Sequence, residues 1–222
     1  MDSVPRINWV TLGYKEEQGL HERFGVSKDT HLTMAALEAG LDQIKQAPQE
    51  LGILEMIVRR PGIREREILQ EAELDTAVGL VGDNWHNRGS SRTGDGSAHP
   101  DMQINIMSSR VLGLVSGSRE RWHLAGDQLI VDLDLSSANL PPGTMLDLGR
   151  ARLMITDQPH TGCKKFVERF GIDALRFISS PTGKILNLRG LDYNVRYFLE
   201  LFGMAGSSDG SEGQRPESMV AE

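Results

Sequence analysis

Apolar and polar positions change rhythm several times along the chain, and each change predicts an element. Residues 31–47 keep a helical period. Leu32, Ala35, Ala36, Ala39 and Ile44 share one face with Leu37 and Leu41 beside it, Asp29 or Thr30 caps the start, and Pro48 ends it. Residues 53–58 read as a strand stopped by Arg59, Arg60, Pro61 and Gly62. Short strand-like pieces and turns fill residues 68–81, and residues 103–107 give another short strand. Residues 108–117 predict a short helix that packs through Val111, Leu112, Leu114 and Val115. Acidic and apolar residues alternate over 126–135, which predicts a half-buried strand with its acids in water. Beyond the turn Leu140-Pro141-Pro142-Gly143, residues 145–155 predict two strands broken at Gly149. Residues 164–170 and 172–178 read as short helices parted at Gly171, and residues 191–203 as more helical than extended.

Many short strands with little strand–helix alternation predict a mainly β fold with added helices, a mainly antiparallel β-barrel. Residues 1–50 form an N-terminal extension with one amphipathic helix, of which 1–29 show little period; 51–200 form the barrel domain. Residues 201–222, rich in Gly, Ser and Glu, read as a disordered tail. The long polar loop over 82–102 is of the kind that carries function.

Composition narrows the classes. Hydrophobic residues at 39% and charged residues at 25% are ordinary for a soluble globular protein. A net charge of −7 argues against a broad nucleic-acid surface but permits a local basic pocket for one small anion. One cysteine makes no internal disulfide, which fits a reducing compartment. Residues 1–18 lack the apolar core of a leader, and no apolar run approaches the roughly 20 residues of a membrane span. The expectation is a cytoplasmic protein with neither membrane nor nucleic acid as partner.

Two islands carry candidate chemistry. Residues 79–88 place Asp83, Trp85, His86 and Arg88 at the mouth of the long loop. Residues 160–165, His-Thr-Gly-Cys-Lys-Lys, put the lone Cys163 between a turn and a helix, a position that can lower a thiol pKa and expose the sulfur. His160 and Cys163 are too few for a structural zinc site, which needs four ligands. A single thiolate on a metal carried by a cofactor is more economical. Lys164 and Lys165 at a helix start favour a bound phosphate or thiolate. Most of Arg59, Arg60, Arg88, Arg92, Arg110 and Arg189 read as solvated.

These islands belong to an ordered series: Leu54 to Pro61, Gly79 to Trp85, Leu124-Ala125-Gly126-Asp127, Leu140 to Gly143, Gly149 to Thr156, and the Cys163 segment. In that order they resemble the MOSC family, named for the C-terminal domain of molybdenum cofactor sulfurases, over about residues 50–190. The resemblance implies a β-barrel like the one inserted in pyruvate kinase. It also implies binding of the molybdenum cofactor (molybdopterin, a pterin dithiolene with a phosphate), with Cys163 as the metal ligand. The leading reading is an oxidoreductase acting on a small N-hydroxylated or N-oxide substrate, with electrons from a separate redox protein. Asp83, His86 and His160 are then candidate proton donors, and Lys164, Arg189 and Arg88 candidates for the pterin phosphate. The alternatives are a non-catalytic cofactor carrier or sulfur-relay module, and a metal-free Cys/His hydrolase or transferase with His160 or His86 as base to Cys163. Members of the family end on a further strand, which the helical reading of 191–203 replaces here.

Overall fold

The computed structural model describes residues 6–10 and 31–198. Its centre is a curled sheet. We number the strands β1 (Arg6–Val10), β2 (Leu51–Arg59), β3 (Glu67–Leu69), β4 (Leu74–Asp75), β5 (Gly79–Leu80), β6 (Ile104–Ser108), β7 (Leu129–Asp132), β8 (Met145–Leu148), β9 (Ala151–Ile155) and β10 (Leu191–Phe198). The strand order is β1-β8-β9-β10-β6-β7-β2, and β1 pairs in parallel with both β8 and β2, so these strands close a ring. β3 extends β2 at the rim, and β4 and β5 make a separate small ladder. The fold is mainly β with added helices.

Two apolar clusters sit on opposite faces of the sheet. Ile104, Ile106, Leu129, Val131, Leu146, Leu153, Ile155, Tyr193 and Val195 fill the inside of the ring. Met56, Val58, Met107 and Ile130 point outward and meet a helical layer. That layer comprises α1 (Met34–Ala39), α2 (Leu41–Lys45), α3 (Ser109–Ser116), α4 (Lys164–Phe170), α5 (Ile172–Ser179) and α6 (Pro181–Ile185). In α3, Val111, Leu112, Leu114 and Val115 are all buried, as its apolar spacing predicts. Phe166 and Phe170 of α4 pack ring to ring at 4.8 Å, both almost wholly buried. Truncating either would cost roughly 3–5 kcal/mol and loosen α4 from the barrel.

Three local expectations change. The helix expected over 31–47 is two helices that meet at Gly40, where a Cβ would lie 2.6 Å from Leu114 Cδ1. The cap is Thr33, whose side chain accepts from the Ala36 N–H, and the buried face runs through Leu37 and Ile44 while Ala35 and Ala39 are exposed; Asp29 and Thr30 lie outside the described residues. Residues 191–198 form strand β10 rather than a helix, paired antiparallel with β6 and β9. Within the poorly periodic 1–29, residues 6–10 form the ring-closing strand. The expected tail at 201–222 lies outside the described residues.

Candidate functional site

The rim of the sheet holds a seam of buried polar side chains, on the outward face and not inside the ring. Val58 points outward, so Arg60, two residues on, continues on that side. Arg60 is only 4% exposed. Its Nε and Nη2 donate to Asp83 at 2.8 Å each, its backbone N–H donates to Asp83 Oδ2, and Nη1 donates to Asn105 Oδ1 and the Gly126 carbonyl. Asn105 stands opposite Asp192 in the β6–β10 register, and its Nδ2 donates to Asp192 Oδ1. Arg189 Nη1 reaches both oxygens of Asp127, at 2.8 and 2.9 Å, with its guanidinium 5.3 Å above the Phe166 ring. The imidazole of His160 lies between the two halves. Its Nε2 is 3.6 Å from Asp127 Oδ1 and its Nδ1 3.9 Å from Asp192 Oδ1.

Burial sets the protonation states here. Loss of water is the main force lowering the His160 pKa to about 3, and Arg189 adds to it. Burial and then the Asp127 charge push Asp192 up to about 7. The buried Tyr193 phenol is raised in the same way.

Cys163 lies where the segment after β9 enters α4, and its side chain is exposed. That segment is pinned along its length. The Thr156 N–H and hydroxyl donate to the Asp192 carbonyl, Arg92 Nη2 donates to the Pro159 carbonyl, and His160 enters the seam. Gly162 packs so tightly against Leu175 of α5 that a Cβ would collide with Leu175 Cδ1, which accounts for a glycine immediately before the cysteine.

Arg88 interacts with Cys163, and further guanidinium groups gather around Arg88. Burial and then Arg169 and Arg60 hold Arg66 below its usual range, and Arg66 Nε is buried with no hydrogen-bond partner. Arg88 is exposed over its length, yet its guanidinium is lowered by partial loss of water and by Arg60; Asp83 and Cys163 act on it in the opposite sense. Asp83, the carboxylate near both, is already engaged by Arg60. A local excess of positive charge in a chain of net charge −7 favours an anion. A recess of about 350 Å³, lined by Asp101, Met154, Thr156, Asp157 and Arg196 among others, opens beside the start of the Cys163 segment.

The candidates of the sequence therefore divide. Cys163, Arg88 and His160 gather around one place. Lys164 is exposed in the first turn of α4, and His86 is exposed with its ring 6.0 Å from that of Trp85. Asp83 holds a guanidinium and two backbone N–H groups, so its lone pairs serve structure rather than proton donation. Arg189 is buried against Asp127 through Nη1, with its Nε buried and without a hydrogen-bond partner. His160 is neutral at neutral pH and is no proton donor of ordinary imidazolium kind. Asp127, expected in water by alternation, is 1% exposed. Arg60, Arg66, Asn105 and Asp192 join the site without a motif of their own; the period-two pattern Leu191, Tyr193, Val195 against Asp192 and Asn194 is the usable signal in the sequence.

No family model and no curated protein matches the sequence. Among solved structures, the YuaD protein from Bacillus subtilis aligns with a TM-score of 0.47 and 17% identity over 65% of this chain and 87% of its own. A hypothetical protein aligns with a TM-score of 0.44 and 22% identity over 63% of this chain and 59% of its own. YiiM from Escherichia coli aligns with a TM-score of 0.40 and 21% identity over 64% of this chain and 61% of its own.

Proposed function

We propose that this chain binds the molybdenum cofactor, with the Cys163 sulfur as the metal ligand, and acts as a reductase of small N-hydroxylated substrates. One observation carries the reading: an exposed thiol beside Arg88, whose guanidinium is lowered by partial burial and by Arg60, with Arg66 lowered in turn by burial, Arg169, Arg60 and Arg88. The residues fit such a group. A pterin dithiolene with a phosphate is strongly anionic, and the unpartnered Arg66 Nε with the Arg88 fork supplies donors for it. Lys164 adds a charge at the entrance. When bound, the cofactor supplies the electrons that cleave an N–O bond. The chain contributes orientation, through the pinned segment 156–163, and a neutral polar wall that excludes bulk water behind it.

The test is metal analysis and extraction of an oxidised fluorescent pterin from chain expressed in a cofactor-competent host, together with turnover of a hydroxylamine panel with a reductant. The expected result is about one molybdenum per chain, lost in Cys163→Ser. Full metal retention in Cys163→Ser removes the ligand assignment. Stoichiometric cofactor without turnover would identify a carrier, and absence of molybdenum with fast alkylation of Cys163 would favour the metal-free nucleophile.

A further inference from the structure

Three side-chain atoms of the seam's described residues are buried without a hydrogen-bond partner: Nε of Arg189, Nδ1 of His160 and Oδ2 of Asp192, and the last two belong to neighbouring groups. The side chain of Asp192 is wholly buried and that of His160 is 11% exposed. Two buried polar atoms left open would each cost about 1–3 kcal/mol, and they can satisfy each other.

The surrounding charges decide how. Both oxygens of Asp127 accept from Arg189, and an acceptor facing Nε2 assigns the imidazole proton to that nitrogen. A neutral ring then offers a lone pair at Nδ1, toward Asp192. Asn105 Nδ2 already donates to Asp192 Oδ1, which leaves Oδ2 to hold a carboxyl proton. Rotation of the carboxyl about its soft terminal torsion turns that O–H toward Nδ1. The charges then balance: Arg60 with Asp83, Arg189 with Asp127, and a neutral His160 with a neutral Asp192. Ionising Asp192 would place a second buried carboxylate next to Asp127. The other charged neighbours are Arg92, which acts on both residues, and Arg60, which acts on His160.

We propose that Asp192 is a positioning residue that latches the Cys163 segment to the barrel by sharing its carboxyl proton with Nδ1 of His160. Asp192 is fixed on β10 and His160 stands three residues before Cys163, so the shared proton ties the ligand-bearing loop to the sheet. Thr156, tied to the backbone of the same Asp192, anchors the other end of the segment. The raised pKa of Asp192, about 7, makes the latch weaken as pH rises through neutrality. What the latch serves, presentation of Cys163 to a cofactor, rests on the proposed function; the latch itself does not.

The test uses the full chain without cofactor, labelled with ¹³C and ¹⁵N at histidine and assigned with His160→Gln. His160 is expected to stay neutral with its proton on Nε2 between about pH 5.5 and 7, with one midpoint near 7 that disappears in Asp192→Asn. The asparagine keeps an acceptor for Asn105 and a permanent N–H for Nδ1, so it preserves the latch without the titration. In parallel, alkylation of Cys163 by a neutral maleimide is compared between the two proteins, which cancels ionisation of the thiol. The ratio of unaltered chain to Asp192→Asn is expected near 1 at about pH 6 and to rise several-fold by about pH 8.5. An imidazole that titrates on its own at ordinary histidine pH, or a ratio flat across the range, would overturn the latch. Lost molybdenum binding with these signatures intact would instead overturn the proposed function alone.

Discussion

Proton linkage in the His160–Asp192 pair gives a stability signature with a definite sign. In the unfolded chain Asp192 ionises near 3.8 and His160 near 6.5; in the fold these move to about 7 and about 3. Between about pH 4 and 6.5 the unfolded pair therefore carries one proton, on the histidine, and the folded pair also carries one, on the aspartate. Proton uptake on folding is zero there, and the pair adds no slope to stability against pH. Substituting either residue exposes the other. With Asp192→Asn, only the depressed His160 remains. The fold binds fewer protons than the unfolded chain below 6.5, and stability relative to the unaltered chain falls as pH falls, by ~1.4 kcal/mol per unit. With His160→Gln, only the raised Asp192 remains. Its contribution is fully present below 3.8 and is lost as pH rises toward about 7, with the same slope and opposite sign, up to ~4 kcal/mol in all. Urea unfolding at half-unit steps from about pH 4.5 to 7.5 reads both slopes, since a midpoint shift at constant m reports stability. If both variants ran parallel to the unaltered chain, or their slopes shared a sign, the proton exchange between the two residues would be refuted.

Two further outcomes follow from the same seam. Arg60→Met leaves Asp83 buried and unpaired and should cost roughly 3–5 kcal/mol by urea unfolding, most of it recovered in the double variant Arg60→Met with Asp83→Leu. Gly190 has φ +95° and a Cβ there would collide with the Ile106 carbonyl oxygen. Gly190→Ala should therefore destabilise by more than ~1 kcal/mol and shift the Asn105–Asp192 pairing, seen as a moved His160 imidazole signal.

How far the fold was legible depends on what each strand face meets. Strand β2, strands β8 and β9 parted at Gly149, and helix α3 follow their apolar spacing, because one side packs on apolar neighbours and the other meets water. The acids over 126–135 misled for a specific reason. Gly126 to Gln128 precede β7, and buried Asp127 and Gln128 are taken up by Arg189 and by the Gln103 and Asn105 backbone, so alternation there did not separate water from core. In β10 the alternation of Leu191, Tyr193 and Val195 with Asp192 and Asn194 is present, but the leucines and phenylalanines after it blur the period toward a helix. Of the site, Cys163, His160 and Arg88 could be named from their islands. Arg60, Asn105, Asp127 and Asp192 could not be joined to them, because they lie far apart in sequence and meet only through the β6–β10 register and the turn before β7.

The position of the seam also constrains how a ligand can reach it. The inside of the ring is filled by leucine, isoleucine and valine with Tyr193, so polar chemistry is displaced to the outward face. There the inner part, Arg60 with Asp83 and Arg189 with Asp127, is charge-matched and nearly closed to water. The unmatched positive charge lies at the rim, where burial and neighbouring guanidiniums hold Arg66 and Arg88 below their usual range and Arg88 interacts with the exposed Cys163. Under the proposed function, affinity for an anion and placement of the thiol fall to different residues. Neutralising Arg88 removes rim charge without touching the carboxylates that hold His160. Changing Asp192 alters how the segment is held while leaving the rim charge as it was. A ligand governed by charge alone would respond only to the first change, whereas one that must also reach the Cys163 sulfur would respond to both, and to the second in a pH-dependent way.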